Sequence, residues 1–391
     1  MMSRYMLPFL LFTSATALAE PTLTSLGSST QVTSISADGS VIVGSIGGSV
    51  FRWTESTGTV ILGGVSNGNP SVSSDGSTIV GTAVDSLSGL ETAAIWQSGT
   101  NWLNIGGIPG GSPSGSSLSS GWGVSGDGSV VVGLGWIDAG TAHGFRWDWA
   151  TGVVDLGSSV NGQSCRANEV SGDGQRVIGW QESSNGSWNG VYWEGGVQVP
   201  ITTSGGGSVG DANAVNSNGS VIVGAFLGGQ AWRWTESTGA VAIGVLPGWN
   251  YSGYAFDVTE DGSIVVGACG FGWDRDAFIW TQDTGMLKLD TWLSGQGLDL
   301  SGWDLGSATG ISDDGSVITG WGFGPGGIEG WVVTLEEDSP ADINGDGAVD
   351  VNDLLMVISG WGPCGFFCPA DINDDDTVDV IDLLMVIQDW G

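Results

Sequence analysis

The stretch VSGDGSVVVG at Val124–Gly133 is one of seven closely related decamers in this chain. The other six begin at Ile35, Val72, Val170, Val215, Val258 and Ile311. Each decamer places an Asp-Gly or Asn-Gly pair between a short apolar segment and a β-branched run. Such a pair supplies the positive φ angles that a two-residue hairpin turn requires. The sequence therefore predicts a β-hairpin at every decamer, with a buried second strand.

A second signature, an aromatic strand, follows every hairpin. The triplets that mark it are Phe51–Trp53, Ala94–Trp96, Phe145–Trp147, Val191–Trp193, Trp232–Trp234, Phe278–Trp280 and Gly330–Val332. Alternation along a strand places the two outer residues of each triplet on one face. A fourth strand commonly follows and ends in Leu-Gly or Ile-Gly, as at Gly63, Gly157 and Gly244.

Four short strands in each period of about 45 residues are typical of a β-propeller blade. Seven periods predict an all-β, seven-bladed β-propeller over residues 20–335. The seventh unit has no fourth strand of its own, whereas TLTSLG at Thr22–Gly27 belongs to no complete unit. We expect this N-terminal strand to complete the last blade and close the ring. An open stack of repeats or a pair of β-sandwiches is the alternative.

The repeat region resembles the HAF family of extracellular repeats, which is named for a His-Ala-Phe stretch ahead of the aromatic strand. HGF at His143–Phe145 and DAF at Asp276–Phe278 are partial matches. The resemblance covers roughly residues 20–335 and implies no particular activity.

Residues 1–19 have the pattern of a secretory signal peptide. Arg4 precedes an apolar run, and Ala17–Ala19 provides small residues ahead of a cleavage site before Glu20. The apolar run is too short for a membrane span, and no later run is long enough. We therefore expect a protein that is secreted or held at the cell surface. Its 42 acidic and 8 basic residues disfavour nucleic acid as a partner.

The C-terminal segment, residues 336–391, contains an internal duplication. Pro340–Gly362 and Pro369–Gly391 are identical at 17 of 23 aligned positions. Each copy opens with the ligand spacing of a calcium-binding EF-hand loop and continues into a short predicted helix. In the first helix, Leu354, Leu355 and Ile358 have the spacing of core residues.

The two loops predict two calcium sites. The candidate ligands are Asp342, Asn344, Asp346, the Ala348 carbonyl, Asp350 and Asp353 in the first loop, and Asp371, Asn373, Asp375, the Thr377 carbonyl, Asp379 and Asp382 in the second. Calcium takes six to eight oxygen ligands, which this spacing wraps around one ion. Position 6 is Gly347 in the first loop but Asp376 in the second. We expect the second site to be weaker, because a left-handed backbone is costly for Asp.

Two calcium loops, each followed by a helix, resemble a type I dockerin over Pro340–Gly391. The Trp-Gly ending and the Cys364–Cys368 pair are similar to dockerins on exported proteins of planctomycete-like bacteria. This resemblance implies calcium-dependent folding and docking onto a cohesin-type module. Loop positions 10 and 11 hold Val351-Asn352 and Val380-Ile381, where cellulosomal dockerins often carry hydroxyl residues. Cys364 and Cys368 can pair in an exported protein, and a zinc site is the rival interpretation.

The sequence contains no convincing catalytic group. His143, the only histidine, is interpreted as structural, and Lys288, the only lysine, as a solvated residue. Five tryptophans outside the triplets are candidates for sugar stacking, although burial is the alternative: Trp102, Trp122, Trp136, Trp249 and Trp273.

The leading hypothesis is a secreted, non-catalytic binding or scaffold protein. Its propeller would present a glycan- or protein-binding platform, and its tail would dock through calcium. The alternative is an extracellular polysaccharide-degrading enzyme of the glycoside hydrolase type, because glycosidases require only two carboxylates. A tail that serves only as a surface-retention signal is a third possibility.

Overall fold

The computed structural model describes residues 21–225, 229–250, 252–335, 339–344, 349–364, 368–373 and 375–390. The predicted signal peptide at residues 1–19 lies outside these ranges, as do Glu20 and the segment 336–338. The described chain forms two compact units. One spans Pro21–Leu335, and the other contains the described residues from Ser339 onward. No helix in the described ranges is long and apolar enough to cross a membrane.

Seven four-stranded antiparallel sheets make up the first unit. Blade 1 consists of β2 (Thr30–Ile35), β3 (Ile42–Ile46), β4 (Ser49–Thr54) and β5 (Gly58–Gly63). Blade 2 consists of β6 (Ser71–Val72), β7 (Thr78–Val84), β8 (Glu91–Gln97) and β9 (Leu103–Gly106). Blade 3 consists of β10 (Ser119–Val124), β11 (Val130–Trp136), β12 (Ala142–Asp148) and β13 (Gly152–Asp155). In each blade the four strands pair in chain order.

Blades 4 to 6 repeat this arrangement. Blade 4 consists of β14 (Cys165–Val170), β15 (Arg176–Glu182), β16 (Trp188–Glu194) and β17 (Val197–Pro200). Blade 5 consists of β18 (Ala212–Val215), β19 (Val221–Ala225), β20 (Ala231–Thr235) and β21 (Gly239–Gly244). Blade 6 consists of β22 (Gly253–Val258), β23 (Ile264–Phe271), β24 (Asp274–Thr281) and β25 (Gly285–Lys288). A short helix, α1 (Leu289–Gly295), follows blade 6.

Blade 7 is built from both ends of the repeat region. Its strands are β26 (Asp304–Ile311), β27 (Val317–Gly324), β28 (Gly327–Thr334) and β1 (Thr22–Ser28). Strand β1 pairs antiparallel with β28, with Thr22 opposite Thr334. Seven sheets and this pairing confirm the predicted seven-bladed propeller, in which the N-terminal strand completes the last blade.

The decamers form hairpins, but the two-residue turn predicted for them is wrong. In blade 3 the Ser125 N–H donates to the Val130 carbonyl at 2.9 Å, which leaves the four residues Gly126–Ser129 in the loop. Only Gly128 has a positive φ, of 71°. Asp127 instead accepts hydrogen bonds from the Ser125 hydroxyl at 2.8 Å and the Ser129 N–H at 2.9 Å. The aspartate therefore fixes the turn through its side chain rather than through its backbone.

The last glycine of a decamer fills a space that excludes a side chain. A Cβ on Gly133 would lie 2.1 Å from the Ser120 carbonyl oxygen and 2.9 Å from the Phe145 ring. Gly267 has the same surroundings, with the Tyr254 carbonyl oxygen at 2.0 Å and the Phe278 ring at 2.7 Å. The second strand thus packs closely between the inner strand and the aromatic ring of the third strand.

The hydrophobic core lies between and within the blades. In blades 3 and 5 both outer residues of the aromatic triplet are buried, which fits the prediction that they share one face: Phe145 with Trp147, and Trp232 with Trp234. The cluster that joins blades 7 and 1 includes Leu26 from β1 and Phe51 from β4. Neighbouring blades therefore share the apolar surface that a single blade could not cover.

The second unit contains two helices, α2 (Val351–Gly360) and α3 (Val380–Gln388), and a small two-stranded sheet of β29 (Gly362–Pro363) and β30 (Thr377–Val378). A disulfide joins Cys364 to Cys368. Val357 and Val386 occupy equivalent positions and are fully buried. The predicted core face of α2 is partly wrong, because Leu355 and Ile358 are about half exposed while Leu354 packs on the core.

Candidate ligand-binding channel and calcium loops

The inner strands of the seven blades surround a central cavity of about 450 Å³. Six of these strands carry a β-bulge that shifts the register by one residue. The bulged residues all line the cavity: Thr33, Trp122, Asn168, Asn213, Phe256 and Thr309. A bulge re-aims a side chain that regular pleating would place elsewhere. The bulges therefore determine which side chains face the channel.

Four of the bulged residues tie one blade to the next. Asn168 Nδ2 donates to the Ala212 carbonyl at 2.7 Å, and Asn213 Nδ2 donates to the Ala255 carbonyl at 2.9 Å. The hydroxyls of Thr33 and Thr309 make the equivalent bonds in blades 1 and 7. Trp122 and Phe256 are the two aromatic members of the set, and they give the channel its apolar surface.

Arg166 lies between two indole rings in the channel. Its guanidinium carbon is 3.7 Å from the centroid of Trp122 and 5.4 Å from that of Trp180. Its Nε donates to Asn168 Oδ1 at 2.6 Å. Burial lowers the pKa of Arg166 to about 10, although Asp211 opposes this shift. Arg166 therefore stays charged near neutral pH but is poorly hydrated.

A second arginine, Arg275, lines the same cavity. Its guanidinium carbon is 5.8 Å from the centroid of Trp321. Its Nε is buried and has no hydrogen-bond partner. Neither Arg275 nor Arg166 forms an ion pair with a carboxylate in the described ranges, whereas Arg146, Arg176 and Lys288 all do. The channel thus holds two cationic groups that form no close ion pair, although the charge of Asp211 acts on Arg166 from nearby.

Further aromatic side chains lie at the same end of the blades, opposite the decamer turns. Trp188 stacks on Trp180 with centroids 4.6 Å apart. Trp273 meets Trp321 edge to face at 5.5 Å and is 55% exposed. We call this group the aromatic mouth. It comprises Trp122, Trp180, Trp188, Trp273 and Trp321, together with Arg166 and Arg275.

Carboxyl groups line the channel as well. Burial raises the pKa of Glu169 well above its usual range, and Asp257 adds to the rise. Burial also raises the pKa of Asp257 to about 7, although the N–H groups of Ile311 and Val258 hydrogen-bond to this carboxylate and oppose the rise. Asp313 is shifted upward for the same reason. These groups therefore carry less negative charge at neutral pH than their number suggests.

Other predicted residues lie away from the channel wall. His143 Nδ1 is 3.0 Å from each carboxylate oxygen of Asp155, which fits the structural role expected for it. Lys288 is not simply solvated, because its Nζ lies 2.8 Å from Asp276 and 2.9 Å from Asp290. Trp249 donates to Asp276 at 2.7 Å and Trp102 to the Leu62 carbonyl at 2.9 Å, so both indoles are anchored.

The first calcium loop is described only in part. Asp346 and Ala348 lie outside the described residues, whereas Asp342, Asn344, Asp350 and Asp353 lie within them. Asp353 is fully buried and accepts from the Asn344 N–H at 3.1 Å. Asn344 Oδ1 is buried and has no hydrogen-bond partner. An unpaired amide oxygen beside a buried carboxylate fits the oxygen ligands that calcium takes.

The second loop is compact. Asp371 accepts from the N–H groups of Asp375 at 3.1 Å and Asp376 at 2.9 Å. Asp382 is fully buried and accepts from the Ile372 N–H at 2.8 Å. Asp376 has a φ of 67°, the left-handed conformation expected for position 6. The remaining candidate ligands, Asn373, Thr377 and Asp379, lie in the same short segment.

Two observations concern the side chains predicted to bind calcium. Within the described ranges, no three acidic, histidine or cysteine side chains come together as a metal-binding group. Asp350 and Asp379 cap the two helices in matching capping boxes with Asp353 and Asp382. The two copies are therefore built alike, and both place a buried carboxylate at the start of a helix.

The two helices expose matching apolar stripes. The stripe on α2 is Val351, Leu355 and Ile358, and the stripe on α3 is Val380, Leu384 and Ile387. All six side chains are about half exposed. Their spacing of four and three residues puts each set on one helix face. We call these two sets the helix stripes.

No protein-family model matches the chain, and no curated protein matches it either. Solved β-propellers do match at low identity. The β-propeller domain of the trilobed protease from Pyrococcus furiosus, described as having an open velcro topology, matches with a TM-score of 0.51, at 9% identity over 82% of this chain and 97% of that one. This likeness supports the propeller fold.

Two further structures extend the comparison. An oligogalacturonate lyase from Vibrio parahaemolyticus matches with a TM-score of 0.51, at 14% identity over 81% of this chain and 94% of that one. TolB from Acinetobacter baumannii matches with a TM-score of 0.40, at 14% identity over 65% of this chain and 61% of its own length. At 9% and 14% identity, the two matches with a TM-score of 0.51 concern the fold alone.

The sequence did not point to Arg166, Arg275, Trp180 or Trp321 as candidate site residues. Trp180 and Trp321 each follow the last glycine of a decamer, where the other copies carry smaller side chains. A tryptophan at a position where the other repeats carry a smaller side chain was the signal that could have identified these two site residues. The arginines gave none, because the contacts of Arg166 with Trp122 and of Arg275 with Trp321 join different blades.

Proposed function

We propose that this protein is an exported, non-catalytic binding protein whose propeller binds a glycan at the aromatic mouth. The observation that carries the proposal is the grouping of five indoles and two guanidinium groups that form no close ion pair around one end of the channel. Ligand sites in proteins combine apolar and aromatic walls with a few polar groups that orient the ligand. A cavity of about 450 Å³ suits a short oligosaccharide.

Glycan binding at the aromatic mouth can be measured directly by titration. The full chain would be titrated with soluble oligosaccharides by calorimetry, and Trp273→Ala would be compared with Trp149→Ala. Trp149 is 68% exposed but lies outside the aromatic mouth. We expect binding to weaken about tenfold or more in Trp273→Ala and to stay unchanged in Trp149→Ala. Equal affinities in the two variants would contradict the proposed site.

The C-terminal unit, in this proposal, tethers the protein by calcium-dependent docking onto a cohesin-type module. The support comes from the duplicated calcium-loop sequence, the unpaired Asn344 oxygen and the helix stripes. Exposed apolar surface of this kind marks interaction sites. Two bound calcium ions would neutralise part of the acidic loops, and the helix stripes would contact the partner.

Docking would be measured by capturing proteins from the medium and envelope of the source organism. Each capture would be run once with calcium and once with EDTA. The proteins compared would be the wild type, the stripe variant that combines Leu355→Asp and Leu384→Asp, and the control Leu87→Asp. Leu87 is 96% exposed in the propeller. The proposal expects a calcium-dependent partner that the stripe variant loses and the control keeps. A partner retained by the stripe variant would count against docking through these helices.

Polysaccharide cleavage is the second candidate function, and the paired channel carboxyls favour it. Glu169 and Asp257 both line the cavity, and the Asp257 carboxylate adds to the upward shift of the Glu169 pKa. A protonated acid beside a carboxylate is the pairing that glycosidases use. Turnover of an oligosaccharide by the wild type that disappears in Glu169→Gln would establish this function in place of the non-catalytic one.

A further inference from the structure

We infer that the aromatic mouth recognises a sugar that carries a carboxylate, with Arg166 and Arg275 as its anion receptors. This inference deepens the proposed glycan binding and rests on it. It names the class of ligand, an oligosaccharide of hexuronic acid, and the two side chains that select that class over neutral sugars.

The distribution of charge is the first argument. The chain has 8 basic residues against 42 acidic ones, so most of its surface repels anions. Arg166 and Arg275 nevertheless face a shared cavity and form no close ion pair in the described ranges, although Asp211 attracts Arg166 at longer range. Taking a guanidinium out of water is costly unless an anion or hydrogen bonds replace the water. Positions of this kind are suited to a ligand that brings its own negative charge.

The unsatisfied donor at Arg275 is the second argument. Its Nε is buried and has no hydrogen-bond partner. The edge of a guanidinium presents two parallel N–H groups, which match the two oxygens of a carboxylate. Arg166 has used its own Nε on Asn168, so only its terminal nitrogens are available to a ligand. Arg275 lines the cavity and is therefore the primary receptor, but its Nε is closed to solvent and joins the contact only after a small rotation of the side chain. Arg166 adds charge from the opposite wall.

The aromatic groups indicate that the anion is attached to a sugar. Trp273 and Trp188 are 55% and 39% exposed and border the two arginine sites. Flat indole surfaces suit the apolar face of a pyranose ring, and Gln31 and Asn69 on the cavity wall offer amide groups to its hydroxyls. One carboxylate per ring matches one guanidinium. A phosphate, with nearly two charges, would meet greater repulsion from Glu169, Asp257 and Asp313.

The experiment compares two trisaccharides that differ only in the carboxylate. The full chain would be titrated by calorimetry with β-1,4-linked mannuronate trisaccharide and with β-1,4-linked mannotriose, in the presence of calcium. We expect the mannuronate trisaccharide to bind about tenfold or more tightly. Arg275→Gln should remove this preference while the weaker binding of mannotriose stays within about twofold of the wild type.

Arg52→Gln is the matched control, because Arg52 lies on β4 and does not line the cavity. It should keep the preference for the charged trisaccharide. Arg275→Lys, which keeps the charge but loses the fork of donors, should fall between the wild type and Arg275→Gln. If thermal melting shows Arg275→Gln to be unfolded, the comparison of Arg275→Lys with Arg52→Gln decides.

The outcomes separate this inference from the proposed function. Equal affinity for the two trisaccharides overturns the carboxylate preference but leaves glycan binding in place. A preference that survives Arg275→Gln also overturns the inference, because Arg275 would then not be the primary receptor of the carboxylate. Failure of both trisaccharides to bind, with no other glycan bound in the titrations above, overturns both proposals.

Discussion

At the scale of single residues, the propeller depends on positions that must be glycine as well as on the side chains of its core. The last glycine of each decamer follows a β-branched run. In a less closely packed sheet, a residue with a side chain could occupy this glycine position. Gly133 instead lies against a carbonyl oxygen and an aromatic ring at distances that exclude a Cβ. The repeated glycine therefore reports close packing of strands, which the sequence pattern alone did not reveal.

Gly133→Ala should lower the free energy of unfolding by about 3 kcal/mol, because the added methyl group overpacks a rigid site. Gly140→Ala is the control, since its nearest non-neighbouring atom would be 3.8 Å from the new Cβ. Chemical denaturation followed by tryptophan fluorescence measures both. A Gly133→Ala variant as stable as Gly140→Ala would show that the strands are free to separate at this point.

The channel carboxyls predict a dependence of stability on pH. Asp257 has a folded pKa of about 7 against an ordinary value of 3.8, so the folded chain holds a proton that the unfolded chain has released. Its contribution is complete below about pH 4 and is lost as the pH rises toward 7. Glu169 and Asp313 face Asp257 and shift in the same direction.

Asp257→Asn should consequently flatten this dependence and melt at a higher temperature than the wild type at pH 8. Melting curves by near-ultraviolet circular dichroism between pH 4 and pH 8 provide the measurement. Asp138→Asn is the contrast, because the N–H groups of Gly140 and Thr141 lower the pKa of Asp138 and make its charged form stabilising. A wild type whose melting temperature rises steadily from pH 4 to pH 8 would rule out this account of Asp257.

At the scale of elements, the sequence predicted the strands of the blades and the two C-terminal helices, but not the short helix α1 or how the faces of the helices are used. The decamers and aromatic triplets fall on hairpins and third strands as expected. In the C-terminal helices, helical periodicity alone suggested Leu355 and Ile358 for the core, whereas Val357 is the buried residue. Apolar residues lie on both faces of α2, so periodicity cannot separate a core face from a binding face.

The second calcium loop offers a prediction that belongs to this scale. Asp376 holds a φ of 67°, a conformation that glycine adopts without strain. Asp376→Gly should therefore tighten calcium binding at the second loop several-fold, although it removes one nearby charge. Calorimetric titration of the metal-free protein measures both sites.

Asp382→Asn shows which calcium-binding event belongs to the second loop, because it alters the buried carboxylate of that loop only. It should weaken one of two calcium-binding events and leave the other unchanged. A titration with a single event in the wild type, or with no event, would contradict the prediction of two calcium sites.

At the scale of the whole molecule, the number of blades and the closure of the ring could be predicted from the sequence, because both follow from counting repeats. The channel could not. Its lining depends on six β-bulges and on which blades become neighbours across the ring. Arg166 and Trp122 lie about one repeat apart, on the inner strands of blades 4 and 3, and they stack at 3.7 Å.

Closure by β1 makes the stability of the ring depend on one short N-terminal segment. Leu26 is 3% exposed and packs in the cluster shared by blades 7 and 1. Leu26→Ala should cost about 2–4 kcal/mol of unfolding free energy, because it leaves a cavity at the junction where the ring closes. Leu87→Ala makes the same chemical change at a residue that is 96% exposed and should cost less than about 0.5 kcal/mol. Equal costs for the two variants, measured by chemical denaturation, would show that the ring holds together without its N-terminal strand.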